Sequence, residues 1–134
     1  MKTYIAAYLS AAVCMLVLDT IWLSMMASRL YRPLIGELML DGFRLAPAVA
    51  FYFLYLSGVL LLAVVPALEA EKWTIAAMNG LVLGLVAYGT YDLTNQATLK
   101  VWPPVVTFVD LAWGAFLTVS TALAGYAGGT YMRG

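Results

Sequence analysis

The sequence predicts an all-α integral membrane protein, built as a bundle of four hydrophobic helices. Of its 134 residues, 64% are hydrophobic and only 10% are charged. A soluble domain carries about a quarter charged residues because its surface must face water. Small domains also leave much of their surface exposed, so a chain this apolar fits lipid better than water. Its length suits one unit, and we predict a single transmembrane domain over residues 1–134.

Four apolar runs are long enough to cross a membrane, since about 20 helical residues span a hydrocarbon core of ~30 Å. Helices are expected because backbone polar groups in lipid must be satisfied within the segment. The runs also lack the alternation of polar and apolar residues that marks barrel strands. The predicted helices cover about residues 4–27, 48–65, 74–97 and 104–128.

Each predicted helix has a recognisable boundary. The first begins like a signal peptide, with Lys2 before an apolar run, but the run is longer than a signal sequence and contains Asp19. We therefore interpret it as a retained helix. The second helix is predicted to end at Pro66, and the fourth to start after two prolines at 103–104, because proline closes or opens helices.

Glycine pairs at helical spacing occur in the third and fourth predicted helices, namely Gly80 with Gly84 and Gly125 with Gly129. Such pairs allow two helices to approach closely in a membrane. Ordinary packing within the bundle is the interpretation that we favour for both.

An even number of crossings places both termini on one side of the membrane, here called side A, and the first and third loops on side B. The first loop, SRLYRPLIGELMLDGFRLAP, mixes charged and apolar residues and predicts a short amphipathic segment lying in the interface between helices 1 and 2. Positive charges balance across the membrane, so the positive-inside rule predicts no orientation. Side A has Lys2, Lys72, Arg133 and the terminal amine; side B has Arg29, Arg32, Arg44 and Lys100.

Composition excludes several cofactors and partners. With no histidine and a single cysteine, Cys14, the chain cannot form an internal disulfide, a Cys/His zinc site or the usual haem ligation. Oxygen ligands from aspartates suit Mg²⁺ or Ca²⁺, but no arginine is expected inside the bundle to hold a phosphate. We predict no metal and no cofactor. Zero net charge and no basic stretch exclude nucleic acid, which leaves membrane lipids, a homo-oligomer or a larger membrane complex as partners.

Three aspartates interrupt the apolar helices. Asp19 lies about eight residues, or ~12 Å, before the side B end of the first helix, at 1.5 Å per residue. Asp110 lies about six residues, or ~9 Å, after the proline pair, and Asp92 lies near the side B end of the third helix. Three carboxyl groups from three helices are thus predicted to meet in one leaflet.

Each aspartate is followed three residues later by an aromatic or amide side chain, in LDTIW, YDLTN and VDLAW. Residues three apart share a helix face, so these side chains are predicted to surround the acids, and lysine near a helix end can snorkel toward them. The predicted ligand-binding residues are Trp22, Asn95, Trp113, Tyr88, Tyr91 and Lys100.

Two functional hypotheses follow from these acids. A carboxylate at membrane depth costs at least ~2.5 kcal/mol, which makes a functional site the default hypothesis. Clustered acids oppose each other's ionisation. If the site performs chemistry, Asp19 and Asp92 are predicted as its proton-transfer pair, with Asp110 and Asn95 orienting the ligand. The ligand would be a small polar, cationic or lipid-like molecule that is transported or modified, with enzymatic activity left open. Alternatively, the acids only bond helices together, in an accessory subunit docked through its glycine stripes.

Three stretches resemble a known family: LDTIWLS, YGTYDLTNQATLKVWP and VVTFVDLAWG are similar to the small predicted membrane proteins called domain of unknown function twenty-one seventy-seven. The resemblance covers nearly the whole chain and implies a multi-pass protein of the bacterial inner (cytoplasmic) membrane. It implies no particular activity. The family motif falls on Asp19, Trp22, Asp92, Asn95, Lys100, Trp102, Pro103, Asp110 and Trp113.

Overall fold

A computed structural model describes residues 1–40 and 42–134 and contains four long helices. Each is long and apolar enough to cross a bilayer, which confirms the predicted all-α four-helix bundle. Asp41, one acid of the predicted amphipathic segment, lies outside the described residues. The helices are α1 (Lys2–Leu38), α2 (Leu45–Ala70), α3 (Trp73–Thr98) and α4 (Pro104–Arg133).

The first helix continues well past its predicted end near residue 27. A π-helical segment (Ala27–Tyr31), an α-helical turn (Arg32–Ile35) and a 3₁₀ turn (Gly36–Leu38) follow without a break. Pro33 lies in the first turn after the π segment. The amphipathic stretch as far as Leu38 is therefore the end of α1 and not a separate piece of the loop.

The second helix also continues past a proline, to Ala70 instead of ending at Pro66. In an α-helix, residue 66 would donate its N–H to the carbonyl of Leu62, and proline has no N–H to donate. The Asn79 side chain of α3 donates to that carbonyl instead, at 3.0 Å. Because a neighbouring helix supplies the missing donor, the backbone of α2 remains satisfied within the membrane.

Helix α4 is the centre of the bundle and packs along both α3 and α1. Glycines allow these close approaches: a Cβ atom on Gly84 would lie 2.6 Å from the backbone oxygen of Gly114, and one on Gly125 would lie 2.9 Å from Val64. Both glycine pairs thus serve contacts within the chain, and the packing interpretation is confirmed.

The two halves of α2 differ in how closely they pack against the other helices. From Val59 onward its inward residues are fully buried, including Ala63, Val64 and Ala67. The first half makes few contacts with the other helices, and Phe53 and Leu54 are exposed. A cleft therefore opens between the side B half of α2 and α3.

Replacing Gly84 with alanine tests the close packing of α3 on α4. The new methyl group would meet the backbone of α4, so we expect a destabilisation of about 1–3 kcal/mol from overpacking. The matched control is Gly58→Ala, because a Cβ atom there has nothing within 4 Å. Melting temperatures in detergent micelles measure both, and equal melting temperatures for the two variants would show that the contact is not tight.

Candidate functional site

Asp19 is held by donors from two other helices. The Tyr52 hydroxyl of α2 donates a hydrogen bond to Asp19 Oδ2, and the Trp113 indole of α4 donates to Oδ1 at 3.3 Å. Asp19 is half-buried. Because each carboxylate oxygen receives a neutral donor, its negative charge is stabilised by hydrogen bonds.

Asp110 and Asp92 form a second, more deeply buried acidic site. Asp110 is 7% exposed and accepts a hydrogen bond from the Tyr31 hydroxyl, which itself accepts one from the Trp22 indole at 3.0 Å. Asp92 is fully buried, and its carboxyl group interacts directly with that of Asp110. Within the described residues, no donor group bonds to either oxygen of Asp92.

A pair of stacked indoles lies between the two acidic sites. The rings of Trp22 and Trp113 are 4.4 Å apart and within 7° of parallel. The Trp22 indole donates to the Tyr31 hydroxyl, which donates to Asp110, and the Trp113 indole donates to Asp19.

In residues 1–40 and 42–134, no three acidic, His or Cys side chains could together hold a metal ion. Asp92 thus lies against Asp110, and proton exchange between Asp19 and Asp92 stays a prediction.

A cavity of about 320 Å³ lies in the cleft between α2 and α3 and is lined by Phe51, Ala87, Tyr88 and Tyr91. Tyr88 connects this cavity to the acids, because its side chain interacts electrostatically with both Asp19 and Asp110. The Tyr88 ring lies over Gly114, where a Cβ atom would collide with it. Three of the four lining residues are therefore aromatic, and the charges of Asp19 and Asp110 act on one of them, Tyr88.

The remaining predicted site residues differ in whether they lie near the acids. Tyr91 contacts the Trp102 ring edge-on, with centroids 5.6 Å apart, and the half-buried Asn95 lies beside Tyr91. Lys100 is exposed in the connection between α3 and α4. Among the described residues Lys100 forms no hydrogen bond or ion pair, so the structure does not bring it to the acids.

Two essential donors, Tyr31 and Tyr52, were not predicted as site residues. Tyr31 falls in the stretch interpreted as an interfacial loop, and Tyr52 lies in an otherwise apolar helix. One signal could have found Tyr52. It lies early in the second helix, on the side B half where the acids were expected, and acids in lipid need polar partners.

Residues 4–127 match the family described as "Predicted membrane protein (DUF2177)". No curated protein and no solved structure matches the chain.

Replacing Tyr31 with phenylalanine removes the donor to Asp110 and the acceptor for Trp22. We expect a loss of about 1 kcal/mol in stability, which is typical of side-chain hydrogen bonds in membrane bundles. The Trp22 emission should also change. Tyr131→Phe is the control, because Tyr131 is 85% exposed. Unchanged emission and melting temperature in Tyr31→Phe would contradict the described bond.

Proposed function

We propose that this chain, which belongs to the DUF2177 family of predicted membrane proteins, binds an amphiphilic molecule with a cationic or hydrogen-bonding head group in the α2–α3 cleft. One observation carries the proposal: Tyr88 lines the cavity and also interacts with Asp19 and Asp110. Tyr88 thus lies between an apolar cavity on one side and the field of acidic groups on the other. Most ligand sites combine these properties, with apolar walls and a few placed polar groups.

The apolar part of the ligand would enter from the lipid. Phe51, Ala87 and Tyr91 provide aromatic and aliphatic contacts, and the first half of α2 stands away from the bundle beside them. A volume of about 320 Å³ lies at the small end of the range for ligand pockets. It suits a small amphiphile or part of a lipid better than a whole phospholipid.

The polar part of the ligand would lie against Tyr88 and approach Asp19. Aromatic faces attract cations, and more strongly where water is excluded. Asp19 already accepts two hydrogen bonds, yet a carboxylate has about four acceptor positions. It can therefore accept a further bond from an ammonium or hydroxyl head group without losing Tyr52 or Trp113.

We further propose that the protein acts in a bacterial inner membrane, an expectation that rests on the family resemblance. Transport of the ligand would require an oligomer or a second access path, because four helices enclose little volume. Modification of the ligand would require a further reactant. Binding in the cleft is common to both.

The competing hypothesis, an accessory subunit with purely structural acids, has less support. The glycine stripes that would dock a partner are occupied by contacts within the chain. The two donors on Asp19 do fit that hypothesis, so the experiment must separate binding from stability.

Filling the cavity should abolish binding of a lipophilic cation. Tetraphenylphosphonium is titrated against the purified protein in detergent micelles, followed by equilibrium dialysis. We expect Ala87→Phe to weaken binding at least about tenfold, equivalent to ~1.4 kcal/mol. Ala112→Phe, the same change at an exposed position of α4, should bind like the parent protein.

The Asp19→Asn variant distinguishes the two hypotheses. Weaker binding at an unchanged melting temperature supports a ligand site. A lower melting temperature with unchanged affinity supports the structural role, and absence of saturable binding by the parent protein would refute the proposed function.

A further inference from the structure

The Asp92 carboxyl group is the least satisfied polar group of the acidic region. It is fully buried, neither of its oxygens receives a hydrogen bond within the described residues, and its direct neighbour is another acid, Asp110. Burying an ionised carboxylate without a partner costs far more than burying a neutral one. Two ionised carboxyl groups in this contact would repel each other, so a proton or a cation must lie between them.

Three tyrosine phenol groups lie near the pair. Tyr31 from α1 and Tyr91 from α3 both interact electrostatically with Asp92 and Asp110, and Tyr88 from α3 interacts with Asp110. Among the described residues, the charged group that acts on Asp92 is Asp110 itself. Phenol groups can donate hydrogen bonds, but they bring no positive charge to offset two carboxylates.

We propose that Asp92 and Asp110 form a proton-binding site that holds one proton between their two carboxyl groups at neutral pH. Two adjacent carboxylates cannot both ionise at low cost, and a shared proton resolves this conflict. The proton gives Asp92 an O–H that donates to Asp110. Asp110 then accepts bonds from both Tyr31 and Asp92, and the pair carries one negative charge instead of two.

Asp19 is not part of this site. Its two oxygens each receive a neutral donor, and it is half-buried where Asp92 is fully buried. This contrast makes Asp19 the matched control for Asp92, and the proposal does not depend on whether the cleft binds a ligand.

Infrared spectroscopy detects the shared proton directly, through the carbonyl stretching band of a protonated carboxylic acid. At neutral pH the parent protein and Asp19→Asn should both show the band, with its usual shift in heavy water. Asp92→Asn and Asp110→Asn should lack it. The amide in either variant can donate to the remaining carboxylate, so the fold should survive. A band that persists in Asp92→Asn, or is absent from the parent protein, would overturn the proposal.

The pH dependence of the melting temperature provides a second measurement. If the folded protein holds one proton more than the unfolded chain, its stability falls as pH rises. Between neutral and alkaline pH, the parent protein and Asp19→Asn should both lose melting temperature. Asp92→Asn should lose less. Equal losses in Asp92→Asn and the parent protein would show that the pair holds no proton.

Discussion

Three carboxyl groups lie among apolar helices, where lipid provides no water to bond with them, and the organisation of the bundle follows from this constraint. Every acid must find a donor or a proton inside the protein. Asp19 accepts hydrogen bonds from Tyr52 and Trp113, and Asp110 accepts one from Tyr31. These bonds tie α1, α2 and α4 together at one level. They also explain why α1 continues to Tyr31, since a helix ending near residue 27 would leave Asp110 without this donor.

The two ends of the bundle are packed by different kinds of residue. Toward side A, small residues such as Ala7, Ala67 and Gly129 let α1, α2 and α4 approach closely. Toward side B, tyrosine and tryptophan rings occupy the space between helices. Rings of this size hold the backbones apart, so the first half of α2 stands away from α3 and the cavity forms beside Tyr88. The donors that satisfy the acids are thus the same kind of side chain that opens the cleft.

Sequence patterns predicted the four helices, because run length needs only the rise per residue. They did not predict how Pro66 is tolerated, since that depends on Asn79 of another helix. Nor did they predict which of the three acids expected to converge would lie against which. Partner choice depends on the rotation of each helix about its own axis, and an error of one residue turns a side chain by about 100°. Tyr31 was missed because its helix continues through a π segment where a loop was expected.

The division of the acids would give the two proposed sites different ligands. Asp19, with two neutral donors, would face a cationic head group, whereas Asp92 and Asp110 would share a proton. Tyr88 interacts with both Asp19 and Asp110, but among the described residues the charge that acts on Asp92 is that of Asp110. A cation beside Asp19 would therefore leave the proton of the pair largely in place. An acidic cluster divided in this way can hold the two ligands separately, whereas carboxyl groups that share one site must take either the proton or the cation.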